Sequence, residues 1–127
     1  MTIALARTRG FTGPRYQLAG ELSLNATWSQ TLELPADGAS VSITGQTVRI
    51  TFREYKTDTA AKLTVSSADS QITISDADTL TISVTDEIMG TLEARDYIVD
   101  LFSSVGGAVT HWARGTVTVT ADPVAWG

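Results

Sequence analysis

From about residue 22 onward, apolar and polar residues alternate with a period of two, and that period decides the fold class before any motif does. In Val48-Arg49-Ile50-Thr51-Phe52-Arg53 the three apolar residues fall on one face and both arginines on the other. Leu22, Leu24, Trp28, Leu32 and Leu34 mark the first strands. Leu63 and Val65, Ile72 and Ile74, Leu80, Ile82 and Val84 continue the period. Tyr97, Val99 and Leu101 share a face, and Val117 and Val119 close the series. The threonines and valines between them are β-branched and favour a pleated, half-buried position.

Turn residues interrupt these runs at short intervals: Pro35-Ala36-Asp37-Gly38, Thr44-Gly45, Asp76-Ala77-Asp78, Gly106-Gly107 and Arg114-Gly115. Gly106-Gly107 between two alternating runs signals a hairpin. No ten-residue helical pattern separates the strands, which argues against a parallel α/β fold. Residues 85–92 are the exception: Thr85 suits an N-cap, Asp86 and Glu87 suit the positive end of a helix, and Gly90 keeps it short. The expected fold is all-β, an antiparallel immunoglobulin-like sandwich of roughly seven to nine strands. It occupies residues 22–122, with an N-terminal arm at 1–21 and a C-terminal tail at 123–127. The expected core is Trp28, Leu32, Val48, Ile50, Phe52, Leu63, Ile74, Leu80, Ile82, Tyr97, Val99, Leu101, Val117 and Val119.

The 127 residues suffice for one domain with a real core, and the absence of cysteine excludes disulfides and thiolate chemistry. No apolar run approaches the ~20 residues of a membrane span, so no membrane contact is expected. Arginines follow the short N-terminal apolar stretch instead of preceding it, so the start reads as mature sequence made in a cytoplasm. Net charge is −5, unevenly spread. Arg7, Arg9 and Arg15 give residues 1–15 a charge of +3 with no acid, which leaves six basic residues against all fourteen acids, or −8, in the remainder. An acidic body is poorly suited to nucleic acid, whereas a basic arm suits an acidic neighbour, including a second copy.

Catalytic inventory is thin. His111 is the sole histidine and sits inside a strand pattern, with no Gly-x-Ser-x-Gly elbow to supply a nucleophile. Asp96 and Asp100 lie four apart and point to one side of their strand. Such a pair serves acid–base chemistry only if burial separates the two titrations; the alternative is an ion pair with Arg95, Arg114 or Arg49. Asp69, Asp76 and Asp78 lack the spacing of a calcium loop, and no phosphate-binding glycine motif occurs. No catalytic residue, metal ligand or cofactor is therefore expected. Trp28, Trp112 and Trp126 are candidates for a sugar-stacking platform, which keeps a carbohydrate-binding module recognising a host surface open as a reading.

Across residues 25–121 the order of features resembles a small β-sandwich module of tailed bacteriophages, similar to the N-terminal domain of phage baseplate upper proteins and to short stand-alone virion proteins. The residues that carry the resemblance are Ile43-Thr44-Gly45 before an arginine-bearing strand and the Tyr97 to Leu101 strand, preceded by Thr85-Asp86-Glu87-Ile88. Family members often continue into a fibre or receptor-binding portion, so a chain that stops after the sandwich is expected to act as connector, collar or decoration. The resemblance implies a non-enzymatic virion protein, assembled in the host cytoplasm as a homo-oligomer with other tail, baseplate or capsid proteins. Subunit or fibre attachment in the tail or baseplate is the first reading, capsid decoration or a head-fibre base the second. The expected interface residues are Ile3, Leu5, Arg7, Arg9, Phe11, Arg15 and Tyr16 of the arm, with Trp112 and Trp126.

Overall fold

The alternating runs become β-strands wherever one face has a core to cover. A computed structural model describes residues 2–7, 16–34, 42–55 and 57–121. Within them lie β1 (Ile3–Arg7), β2 (Tyr16–Ser23), β3 (Trp28–Glu33), β4 (Thr47–Arg53), β5 (Leu63–Ser66), β6 (Ile72–Asp76), β7 (Thr79–Val84), β8 (Arg95–Val105) and β9 (Ala108–Thr120). A single turn of helix, α1 (Asp86–Met89), links β7 to β8, and the Thr85 hydroxyl caps it by accepting from the Ile88 amide. Six strands form one sheet in the order β1-β2-β9-β8-β4-β5, and three form a second in the order β3-β7-β6. The fold is all-β. Neighbours run antiparallel except β2 and β9, which are parallel.

The inner faces of the two sheets share one apolar core. Trp28 of the small sheet meets Phe52 of the large one edge-on, with centroids 5.9 Å apart, and Phe52 meets Tyr97 in the same manner at 6.1 Å. Of the residues expected in the core, Leu63 and Ile74 are only half-buried, and the others are buried. The side chain of Gln30 stitches the two sheets together at one margin. Its Oε1 accepts from the Ile3 amide and from Trp28 Nε1, while its Nε2 donates to the Ile3 carbonyl. That satisfies polar groups on the outer margin of β1 and on a buried indole, which would otherwise go unpaired.

The N-terminal segment departs from expectation. Its described residues do not form a loose arm: they supply β1 and β2, and Ile3, Tyr16, Leu18 and Leu22 enter the core. The alternation Tyr16, Leu18, Leu22 is interrupted in sequence by Gly20, which occupies an inward position of the same period. A Cβ there would overlap the Thr2 carbonyl oxygen, so the position is closed to the apolar side chain that would have shown the strand.

The same steric rule applies to Gly115, which faces Leu18 across the parallel β2–β9 pair. A Cβ on Gly115 would overlap the Leu18 carbonyl. Gly115→Ala should therefore push β2 off β9 and cost about 1–3 kcal/mol, the range for overpacking. Ile50→Ala, at a fully buried position, should cost about 2–5 kcal/mol. Urea melts of both variants check the ladder and the strand phase.

Candidate functional site

The outer face of the six-stranded sheet carries the chemistry, because β4, β8 and β9 turn their polar residues the same way. Register puts Thr51 of β4, Asp100 of β8 and Arg114 of β9 in one row, and Arg49, Phe102 and His111 in the next. Thr47, Ser104 and Val109 form a third.

Asp100 is the centre. Its side chain is wholly buried on what is otherwise the outer face. Arg114 Nε donates to Oδ1 at 2.7 Å, His111 Nε2 meets the same oxygen at 2.7 Å, and Arg53 Nη2 donates to Oδ2 at 2.8 Å. An ionised carboxylate offers only acceptors, so the His111 contact is a hydrogen bond when the imidazole hydrogen is on Nε2. The His111 ring also stacks on Phe102, centroids 4.6 Å apart.

His111 and Arg114 are three residues apart, and a regular strand would send them to opposite faces. A β-bulge corrects the parity. Leu101 pairs with Ala113 and Phe102 with His111, which leaves Trp112 as the extra residue. Trp112 and Ala113 both turn inward, and Trp112 Nε1 donates to the buried Ser103 hydroxyl at 2.7 Å. Flanking them, His111 and Arg114 both turn out toward Asp100.

The expected pairings resolve accordingly. Arg114 takes Asp100, and Arg95 instead pairs with Glu54 at 2.6 Å. Glu54 also binds Lys62 at 3.2 Å; this hydrogen bond, and then its charge, raise Lys62 above the ordinary lysine pKa. Asp96 accepts from Thr118 Oγ1. Asp100 and Asp96 share a face, as expected, yet only Asp100 is buried. Asp76 and Asp78 bond to the Ala77 amide and the Thr79 hydroxyl of their own turn. Among the described residues no group of three histidine, aspartate or glutamate side chains is placed to hold a metal ion. Among the described residues the hydrogen bond of the His111 ring is the one to Asp100.

Three of the expected interface residues belong to the core. Ile3 and Tyr16 face inward because their strands alternate, and Trp112 does so because of the bulge. Leu5 is half-buried against the same core. Arg7 ends β1, opposite Tyr16. Arg9, Phe11, Arg15 and Trp126 lie outside the described residues. With Trp28 and Trp112 both buried, those two rings form no sugar-stacking platform.

Sequence reasoning passed over Phe102 and Val109. Phe102 is the one aromatic residue out of phase with the inward Tyr97, Val99 and Leu101, and that phase was the available signal. A pocket of about 280 Å³ opens beside it, lined by Thr47, Arg49, Thr51 and Ser104, with Val109 at its margin. The β8–β9 hairpin closes through Gly106-Gly107, both at positive φ as a two-residue turn demands, and residues 105–110 are all exposed. Val105 and Val109 stand there at 55% and 66% exposure.

No protein-family model matches the chain, and no curated protein matches it.

Asp100→Asn removes the charge that holds two guanidinia and sets an amide donor against them. The guanidinia reach solvent, with side-chain exposures of 17% and 43%, so the cost should fall below that of a fully buried broken pair, at about 1–3 kcal/mol. A urea melt at neutral pH measures it.

Proposed function

We propose that the chain is a non-enzymatic structural protein of a tailed-phage virion, an immunoglobulin-like β-sandwich that attaches subunits or fibres in the tail or baseplate. Strand order supports the fold reading. Taken from β3 to β9, the strands read as B, C, C′, D, E, F and G of that architecture, with B-E-D in one sheet and G-F-C-C′ in the other. Tyr97 supports it independently. It stands near the start of the F-like strand, just after the helical crossover, and its hydroxyl accepts from the Glu93 amide four residues upstream at 2.8 Å. A tyrosine bonded back at the E–F corner is a mark of these sandwiches.

The attachment reading rests on one observation: residues 105–110 are exposed in unbroken succession, with two valines on a paired two-stranded ribbon. Aliphatic side chains held out on backbone already ordered by a strand ladder lose less entropy on docking than those on an unpaired loop. The ionic groups around Asp100 satisfy one another, so the face they occupy is built to hold shape. This reading, together with the resemblance across residues 25–121, favours holding over turnover.

Val109→Asp should leave the melting curve unchanged and abolish incorporation into particles. Immunogold microscopy of virions should put the wild-type chain on the tail or baseplate. Label confined to the capsid, or absent from particles, would exclude that placement.

A further inference from the structure

We propose that the pocket between Arg49 and Phe102 receives a single carboxylate, from an aspartate or glutamate flanked by apolar residues on a partner protein. The argument begins with ion pairing. Among the described residues Arg53, Lys62, Arg95 and Arg114 each have a carboxylate partner, and His111 shares that of Asp100. Arg49 has none. It is exposed, on the outer face of a chain whose formal charge is −5, and it lines a pocket of about 280 Å³ that contains no acidic residue. The nearest acid in the register, Asp100, is already enclosed by two guanidinia and an imidazole.

The rest of the lining defines what accompanies the charge. His111 on β9 covers one face of the Phe102 ring, with planes 23° apart, so the other face turns toward β4, where Arg49 stands opposite in the ladder. Thr47, Thr51 and Ser104 supply hydroxyls, and Val109 extends the apolar margin. A guanidinium binds a carboxylate through two parallel N–H donors, and hydroxyls take the remaining lone pairs. An aromatic face and a valine accept an aliphatic neighbour. Phe102 and Val109 take up the apolar part of the lining and Arg49 is its one charge, so a single carboxylate beside apolar side chains is the complementary segment.

The occupant's being a protein rests on the attachment reading above; the carboxylate itself rests on Arg49 alone. The test is amide NMR of the whole labelled chain titrated with acetyl-Leu-Glu-Leu-amide, acetyl-Leu-Gln-Leu-amide or glucuronate. The glutamate peptide should shift the amides of Arg49, Phe102, Ser104 and Val109 saturably. Replacing glutamate by glutamine, or Arg49→Gln in the protein, should weaken binding about tenfold or more. Arg49→Lys, which keeps the charge without the fork, should restore only part of it. Raising the salt should weaken the wild-type interaction. Equal shifts from the glutamine peptide, no shifts, or shifts unchanged in Arg49→Gln would overturn the proposal. Glucuronate shifting these amides while the peptide does not would overturn it in favour of an acidic sugar. Particle labelling separates the two readings: a chain located on virions without peptide binding sinks only the pocket, and peptide binding by a chain absent from virions sinks only the virion assignment.

Discussion

A carboxylate without access to water has to be met by donors on both oxygens, and Asp100 imposes that demand at the middle of the large sheet. The donors come from the strands on either side: Arg53 from β4, His111 and Arg114 from β9. Two of them stand at positions that ordinary alternation keeps on opposite faces. The bulge at Trp112 reconciles the two requirements, and it has a consequence on the other side of the sheet. A tryptophan turned inward needs a partner for its indole N–H, which the buried hydroxyl of Ser103 provides. Ladder register, core composition and outer-face chemistry are thus tied to one buried charge.

The same arrangement shapes what the outer face has left to offer. With Asp100 enclosed, its negative charge is cancelled locally, and the neighbouring row of Arg49, Phe102 and His111 faces solvent as a cation beside two stacked rings. The hairpin beyond it is glycine-closed and paired to its tip, and it carries Val105 and Val109 into solvent. Positive charge, an aromatic face and aliphatic side chains then lie together on a chain whose net charge is −5. The proposed docking rests on that combination, an apolar centre with a charge that fixes orientation.

Much of this was legible from residue types. The inward set of β4, β7 and β8 follows directly from alternation, as does the short capped helix at Thr85. Strand β2 is hidden in the sequence because Gly20 stands where a close backbone approach forbids a side chain. The inward turn of Trp112, expected at an interface, depends on the bulge in β9, and a bulge leaves no local mark in composition. Arg114 was named among three possible partners for the aspartates, but Arg53 was not, since its reach to Asp100 runs diagonally across a strand pair whose register is not written in either strand. The phase of Phe102 is visible in the sequence, but its meaning depends on His111 lying beside it.

The sequence by itself determined an all-β chain, the faces its central strands bury, the glycine-closed hairpin and the imbalance of charge. These are local properties: side chains alternate every residue along an extended backbone, and β-branched residues favour that backbone wherever it pairs. Tertiary structure alone decided that β2 runs parallel to β9, that β9 bulges at Trp112, and that among the described residues Arg49 is left without a carboxylate while its neighbours are paired. Those outcomes depend on which edges meet and in what register, among strands as far apart in sequence as Leu18 and Gly115. Pairing energy between two strands is nearly the same in many registers. The choice falls to the packing of the whole core and to the single buried charge that has to be satisfied.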